Sequence, residues 1–391
     1  MMYEKEVKEK VTAILPQVVT WRRHFHEYPE LSGKEVNTSA YIQDVFKNLG
    51  IPYETGFFQN AVLGIIKGSH PGKTVALRAD MDALPVTELT GLPFASKNEG
   101  VMHACGHDGH MSILLGAAAV LNEMKEQIHG TVKIVFQPAE EEAAIGGGRI
   151  AASGKLDDVS EIYGLHVWPE LPTGQVGLKP GALMAASDRF YVHIKGKSTH
   201  AAQPHNGTDA LVAAAHFIID VQSLISREMN PMDNVVCTIG LMNAGTRYNV
   251  GVEDAYLEGT CRTYRPELRD KMEARLGEIL KGLDVMFHTH SELNYVRGHS
   301  ATINTPEKID FLKKVGKAYL GEEHITEPEF PSMCAEDFSS YLEKFPGAFF
   351  WLGTGDGNTP ALHNASFAIN ESILPLGITL EAAAALEALS R

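Results

Sequence analysis

Hydrophobic residues in the N-terminal third alternate between the helix period and the strand period, and this alternation most constrains the fold. A helical stripe through Ile42 and Val45 precedes an apolar run at residues 74–77. A longer helical stripe through Leu114 is then followed by a strand pattern at residues 132–136. Strands and helices in this succession predict an α/β fold with a mostly parallel sheet covered by helices on both faces. Functional side chains are expected at the carboxyl ends of its strands.

A different pattern interrupts this fold between residues 188 and 297. Its strand and helix signals follow the order β-α-β-β-α-β, with a helix that begins at Pro266 and a last strand over residues 284–295. That order is typical of the ferredoxin-like motif. The sequence therefore predicts an inserted α+β domain at 188–297, and a larger discontinuous domain made of residues 1–187 and 298–391.

The charge balance argues against one class of partner. The 391 residues include 34 Lys and Arg against 49 Asp and Glu, which gives a net charge of −15. An acidic surface repels phosphate backbones, and we find no basic cluster interleaved with aromatic residues. We expect no nucleic-acid partner.

The N-terminal segment and the small number of cysteines indicate where in the cell the protein is located. The first residues lack the basic and apolar regions of a secretory signal, and we expect no apolar run long enough to cross a membrane. Four cysteines are too few for a disulfide framework in a chain of this length. A cytoplasmic protein without a membrane partner is expected.

The segment HACGHDGHM crowds Cys105, His107, Asp108 and His110 at the start of a predicted helix. Thiolate, imidazole and carboxylate groups are the ligands of zinc and neighbouring metals. The alternative is a polar helix cap, in which Asp108 serves the first turn and the histidines are incidental. The segment by itself leaves both interpretations open.

Three adjacent glutamates, Glu140, Glu141 and Glu142, follow a predicted apolar strand. A solvated acidic turn is the usual interpretation of such a run. Here the strand would deliver the carboxylates to the edge of the sheet, where they repel one another unless a cation neutralises them. One glutamate could bind a metal while its neighbour acts as a base.

Two further histidines, His166 in GLHVWP and His363 in ALHNASF, lie in apolar surroundings. A single histidine of this kind is more often a core residue with satisfied hydrogen bonds than a metal ligand. Neither residue indicates a metal site by itself.

Six ordered motifs across nearly the whole chain carry a family resemblance. They are RADMDALP at 78–85, HACGHDGHM at 103–111, FQPAEE at 136–141, GLHVWP at 164–169, KSTHAAQPHNGTDA at 197–210 and LHN at 362–364. Together they resemble the M20 metallopeptidases, in the amidohydrolase branch that includes hippurate hydrolases, N-acetyl amino acid deacetylases and auxin-conjugate hydrolases. The resemblance implies a zinc-peptidase-like mixed sheet flanked by helices and a dimerisation role for the inserted domain.

The resemblance also implies a dinuclear metal centre. Two divalent ions (Zn, Mn, Co or Ni) would be held by Cys105, His107, Glu141, His166 and His363. Glu140 would be the general base that accepts a proton from water and returns it to the leaving amine. Asp80 matches a family aspartate, but Arg78 stands where relatives have a ligand histidine, so Asp80 is expected only to support the ligands.

The inserted domain is expected to contribute three more residues. His200 resembles the family histidine that stabilises the oxyanion from a partner subunit, while Asn249 and Arg262 resemble residues that bind the substrate carboxylate. The chain departs from the family at VGVED after Asn249 and at Glu142, where relatives commonly have a proline and a glycine. The shape of both segments is therefore open.

The function implied is hydrolysis of the amide bond in N-acetyl or aromatic N-acyl L-amino acids by a homodimer or a higher homo-oligomer. A dipeptidase or aminopeptidase is the first alternative, and it would need an acidic group to hold a free substrate amine. A catalytically silent relative is the second, and such proteins lose ligands or the base. This chain keeps Glu140 and all five expected ligands.

Overall fold

The computed structural model describes residues 3–141 and 146–390, which separate into two compact units. Unit 1 comprises Met1–Leu183, Ile303–Pro331 and Asp337–Arg391, and unit 2 comprises Met184–Thr302 and Ser332–Glu336. The helices are α1 (Glu4–Glu27), α2 (Val36–Leu49), α3 (His107–Glu123), α4 (Gly146–Ala151), α5 (Ala210–Ser223), α6 (Pro266–Phe287), α7 (Pro306–Tyr319), α8 (Ser339–Leu342) and α9 (Leu374–Leu389). The strands are β1 (Tyr53–Glu54), β2 (Val62–Lys67), β3 (His70–Asp80), β4 (His129–Gln137), β5 (Val159–Pro172), β6 (Val176–Gly177), β7 (Gly181–Met184), β8 (Ala186–Lys195), β9 (Val235–Ala244), β10 (Asp254–Thr263), β11 (His290–Arg297), β12 (Thr302–Asn304), β13 (Ile325–Thr326) and β14 (Gly347–Gly355).

Unit 1 is built on a mixed sheet with the strand order β1-β2-β4-β3-β5-β14-β6-β13. The central strands β4, β3, β5 and β14 run parallel to one another, whereas β2 pairs antiparallel to β1 and β4, and β6 pairs antiparallel to β14 and parallel to β13. The carboxyl ends of the parallel strands therefore meet at one edge. The predicted α/β class with a mixed sheet is confirmed.

Helix α3 lies at the centre of unit 1. It is buried from His107 to Leu121 and packs against α1, α9 and strand β3. A helix that is apolar all round suits a position inside the core rather than on its surface. Its first turn, which carries the polar residues of HACGHDGHM, is thus held inside the unit.

Unit 2 has the element order β8-α5-β9-β10-α6-β11 and an antiparallel sheet in the order β11-β8-β10-β9. This is the β-α-β-β-α-β succession that the sequence predicts. The last strand was predicted to begin at residue 284, which is wrong. Helix α6 continues through buried Leu283 to Phe287, and the chain reverses at His288, which has a φ of 58°.

The buried carboxylate of Asp188 holds together the two ends of the unit 2 segment that runs from Asp188 to Arg297. Asp188 near the start of β8 lies opposite Arg297 at the end of β11. Its carboxylate accepts hydrogen bonds from Arg269 (Nε–Oδ2, 2.9 Å), the Tyr295 hydroxyl (2.8 Å) and the Gly298 amide (3.1 Å). These donors satisfy a charge that is only 1% exposed. The two ends of this segment are therefore neighbours.

Two helical stretches, Ala210–Glu228 and Glu371–Leu389, are each 19 residues long and apolar enough to cross a membrane by length and composition. This corrects the expectation that no apolar run has that length. The second stretch is 78% buried inside the structure, as in the core helix of a soluble protein, and the first is 33% buried. Helix α5, within the first stretch, packs one face on the unit 2 sheet and leaves Leu211, Val212 and Ile219 exposed.

Candidate metal centre

The carboxyl edge of the unit 1 sheet brings together predicted site residues from five segments. Asp80 ends β3, Glu140 and Glu141 follow β4, and His107 opens α3. His166 lies within β5 rather than beyond its end, and His363 lies in the loop after β14. Because β3, β4, β5 and β14 are parallel, these segments converge at the same edge of one sheet.

The five predicted ligands fall into two of the groups whose potential ligand atoms lie within 4.8 Å of one another. Cys105, His107 and His166 form the first, and Cys105, Glu141 and His363 form the second. Cys105 belongs to both groups, so its sulfur is placed to be shared. The arrangement can hold two cations side by side.

Backbone hydrogen bonds fix the tautomers of two histidines. Nδ1 of His107 donates to the carbonyl oxygen of Asp82 (2.9 Å), and Nδ1 of His166 donates to the carbonyl oxygen of Val167 (2.6 Å). A carbonyl oxygen can only accept, so each Nε2 keeps its lone pair while the ring is neutral. Nε2 of His166 faces the Cys105 sulfur at 3.4 Å. Metal-binding imidazoles are usually oriented in this way, with one ring nitrogen donating to a neighbouring group and the other presenting its lone pair to the metal.

Several buried atoms of the site lack hydrogen-bond partners within the described part of the chain. They include Nε2 of His107 and Oε1 of Glu141. Oε1 of Glu141 lies 3.2 Å from Nε2 of His363. This distance allows electrostatic attraction between the two side chains, but their angles are not those of a hydrogen bond. Buried polar atoms normally have partners, and both His107 and Glu141 belong to the groups of potential metal ligands. The donor set therefore fits divalent cations.

The electrostatics of the site also favour cations. Burial and the nearby carboxylates of Glu141 and Glu140 raise the pKa of the Cys105 thiol well above its usual value. Burial alone would lower the pKa of His107, but Asp80, Asp82 and Glu141 outweigh it and raise that pKa to about 10. Burial and the neighbouring imidazoles of His110 and His107 instead lower the pKa of His166 well below its usual value, so positive charge is stabilised chiefly beside His107 and its carboxylates.

Gly106 allows the chain to turn between Cys105 and His107. It has a φ of 87°, and a Cβ atom built there would lie 2.4 Å from Cγ2 of Val167. Only glycine adopts this conformation without strain, and only glycine leaves room for β5. The CGH sequence thereby presents the thiol and the imidazole to the same space.

His110, although it belongs to HACGHDGHM, is committed elsewhere. Its Nε2 accepts from the Val167 amide (2.9 Å), so its Nδ1 carries the proton and donates to Oδ1 of Asp80 (2.6 Å). Arg78 donates to the other oxygen of Asp80 at 2.7 Å. With both nitrogens engaged, His110 joins Asp80 in a buried network beneath the site.

Asp82 is a residue of the site that the sequence motifs did not single out. Its Oδ1 lies 3.4 Å from Nδ1 of His107, compared with 3.7 Å for Oδ1 of Asp80, and its Oδ2 accepts from the Glu141 amide at 2.9 Å. Asp82 thus connects two predicted ligands, whereas Asp80 faces His110 and Arg78. The two aspartates of RADMD are two residues apart, so strand period could have suggested that both point the same way.

Glu140 lies 7% exposed at the turn after β4. Its Oε1 accepts from the Asp337 amide at 3.4 Å, and it shares a group of potential ligand atoms with His107 and Glu141. The predicted base is therefore beside the predicted ligands. Glu142, where the family pattern has glycine, lies outside the described residues.

The three remaining predicted residues belong to unit 2. His200 is exposed, and its segment pairs with that of Asn249, since the Ala201 amide donates to the Asn249 carbonyl at 3.2 Å. Arg262 lies near the far end of β10, eight residues beyond Asp254, the first residue of that strand. At the usual rise per strand residue this separation is about 26 Å. Within unit 2, His200 and Asn249 are therefore neighbours and Arg262 is distant from them.

Comparison with known proteins agrees with this fold and shows the family of the chain. The model of peptidase family M20/M25/M40 matches residues 76–387. An N-acetyl-L-cysteine deacetylase of Bacillus subtilis (strain 168) is 39% identical over 92% of this chain and 85% of its own length. An N-acetyldiaminopimelate deacetylase of Listeria innocua is 38% identical over 93% of this chain and 97% of its own. A solved Bacillus subtilis structure, described as a dinuclear metal binding peptidase from the M20 family, has a TM-score of 0.86 at 34% identity and covers 97% of this chain and 99% of that one.

Together with these matches, the mixed α/β sheet with potential metal ligands at its carboxyl edge defines a hydrolase of the metallopeptidase class. The chain belongs to peptidase family M20/M25/M40, and the predicted M20 resemblance is confirmed.

Proposed function

We propose that the protein is a dinuclear metal-dependent amidohydrolase that removes the acyl group from N-acyl L-amino acids. The observation that carries this proposal is the pair of histidines with fixed tautomers, His107 and His166, aimed with Cys105 into one cluster. The two ions would be held by Cys105, His107, Glu141, His166 and His363. The similarity to two deacetylases of N-acetylated amino acids supports the substrate class.

Glu140 would move the proton in this reaction. When bound, two divalent ions supply Lewis acidity that polarises the acyl carbonyl and makes water acidic near neutral pH. Glu140 accepts the proton of the attacking water and returns it to the departing amine nitrogen. Asp82 holds the Glu141 backbone through its 2.9 Å hydrogen bond, and Asp80 holds His110, so both aspartates orient groups rather than exchange protons with substrate.

The unit 2 residues would complete the site from two copies of the chain. His200 would donate to the oxyanion, and Asn249 and Arg262 would bind the substrate carboxylate. A small substrate cannot bridge the length of β10, about 26 Å by strand rise. We therefore expect His200 and Asn249 of one protomer to act with Arg262 of the other.

The surface of unit 2 supports a homodimer. Strand β9 is at the edge of its sheet and exposes Leu241 and Met242, and α5, which contacts β9, exposes Ile219 and two further apolar residues. An unpaired edge strand with apolar neighbours is a ready surface for a second copy. All four cysteines are free, which suits a reducing cytoplasm.

A panel of N-acetyl and N-benzoyl amino acids, assayed with Zn, Mn, Co and Ni, tests the function. We expect release of free amino acid that depends on a divalent ion. The matched control is the same amino acid as the C-terminal residue of a dipeptide with a free amine, which should be a poorer substrate. Faster cleavage of the dipeptides would replace the proposal with a dipeptidase, and no cleavage of any amide would remove it.

A further inference from the structure

Glu35 is a fully buried carboxylate at the start of α2 that contacts the turn before Glu140. It occupies the N-cap position of α2, yet its side chain makes no capping bond to that helix in the described part of the chain. Its Oε1 accepts instead from the backbone amides of Gly33 (2.8 Å) and Ala139 (2.9 Å). Its Oε2 accepts from the side-chain amide of Asn60 at 3.2 Å. A charge that is 0% exposed is thus used to bind the turn that carries the glutamates.

That turn contains a strained residue. Ala139 has a φ of 57°, in the left-handed region that residues with a Cβ rarely adopt, and it immediately precedes Glu140 and Glu141. Such a conformation persists only when its surroundings hold it, and it sets the direction of the following side chains. The bond from the Ala139 amide to Glu35 is a direct means of holding it.

The same loop contacts the other side of the site. Ser32 donates to Oδ2 of Asp82 at 2.6 Å, and this oxygen also accepts from the Glu141 amide at 2.9 Å. Residues 32–35 therefore hold this turn at two points. Glu35 binds the backbone just before Glu140, and Ser32 acts through Asp82 on the backbone at Glu141. Both contacts act on the backbone that presents the predicted base and ligand.

We propose that Glu35 is a positioning residue of the metal centre. Its carboxylate holds Ala139 in the left-handed conformation, and this directs Glu141 toward the metal and Glu140 toward the reacting water. The inference rests on the proposed function for the identity of the reaction, but the positioning of Glu141 can be tested by metal binding alone.

The first test compares Glu35→Met with Glu35→Gln. Methionine keeps length and flexibility but cannot accept the two amide hydrogens, whereas the glutamine carbonyl can accept both. Asn60 can rotate its amide to accept from the new glutamine NH₂. We expect E35M to lower metal affinity on the order of 10–100-fold, measured by competition with a chromophoric chelator. We expect kcat to fall on the order of 100-fold with a much smaller change in KM, and E35Q to retain most of both.

Glu30→Met is the matched control. Glu30 lies in the same loop, and its carboxylate accepts from the Thr38 amide (2.8 Å) and the Asn37 side chain (2.7 Å) at the first turn of α2. Its removal loosens α2 without touching the turn at Ala139. We expect E30M to lower thermal stability while metal affinity and kcat stay near wild type. Equal losses in E30M and E35M would show a general effect of the loop and overturn the proposal.

The second test adds Ala139→Gly to E35M. Glycine adopts positive φ without strain, so it removes the conformational cost that Glu35 offsets. We expect the double variant to recover on the order of tenfold in metal affinity over E35M, whereas a merely structural role for Glu35 would give no recovery.

If E35M does not fold, Glu35→Asp takes its place, because it draws the carboxylate back from the Ala139 amide and keeps the charge. Wild-type metal affinity in E35M, or in E35D where that variant is used, overturns the proposal. Failure of the wild type to hydrolyse N-acyl amino acids would refute only the proposed function, since the affinity comparison needs no substrate.

Discussion

We expect unit 1 to lose stability as the pH becomes alkaline, because His26 loses its proton there. Its Nδ1 lies 2.8 Å from Oδ2 of Asp108, at the start of α3, and its Nε2 lies 3.0 Å from Oε1 of Glu88. Burial alone would lower the pKa of His26, but Asp108 and Glu88 outweigh it and raise that pKa to about 9. The imidazolium therefore joins α1 to the first turn of the helix that carries His107.

The direction and size of the effect follow from linkage. A pKa that is higher in the folded state contributes stability that is fully present below the unfolded pKa of about 6.5 and is lost as the pH rises through about 9. The change from 6.5 to about 9 corresponds to about 3 kcal/mol, and the 1% exposed side chain makes solvent screening small. Most of this stabilisation should disappear between pH 6.5 and pH 10.

Urea unfolding followed by tryptophan fluorescence measures this effect in unit 1 alone, because Trp21, Trp168 and Trp351 all belong to that unit. The free energy of unfolding should fall with rising pH about 3 kcal/mol further in the metal-free wild type than in His26→Gln, which does not titrate. His24→Gln on the same helix is the control, since burial lowers the pKa of His24 and its effect falls on the acid side. Equal alkaline slopes for the wild type and H26Q would refute the reasoning.

Three further predictions concern the metal centre and the dimer. Glu140→Gln should bind metal as the wild type does but lose nearly all turnover, because it removes the proton acceptor and leaves every ligand; normal activity in this variant would refute the assignment of the base. A chelator should abolish hydrolysis and a divalent ion should restore it, and full activity after metal removal would exclude the dinuclear mechanism. Mixing His200→Ala subunits with E140Q subunits should restore part of the activity, because a hybrid dimer contains one site with both intact groups. No recovery would show that His200 acts within its own chain.

The sequence predicted most of the architecture because periodicity reports which faces are buried. The boundary of α6 and the last strand of unit 2 was placed wrongly because the apolar stripe of the helix continues without a break into residues that also suit a strand. The end of that helix depends on His288 reversing the chain, and a histidine is a weak signal for positive φ.

The candidate site was predictable in part for a similar reason. Local chemistry made Cys105, His107 and the glutamates around Glu141 candidates for a metal site, and the family motifs decided between the alternatives, whereas His166 and His363 depended on those motifs entirely. Neither the proton on each imidazole nor the choice between Asp80 and Asp82 is encoded locally. Both depend on which backbone carbonyl or amide faces the side chain after α3, β3 and β5 have packed.

Because Asp188 holds the two ends of the unit 2 segment together, the residues between those ends should be removable or replaceable. Residues 188 and 297 lie opposite each other on adjacent antiparallel strands, where Cα atoms are about 5 Å apart. More than a hundred residues thus leave and return at almost one point, so a short linker could replace them. A chain shortened in this way should still fold unit 1, and homologous insertions could be exchanged at this junction as self-contained modules.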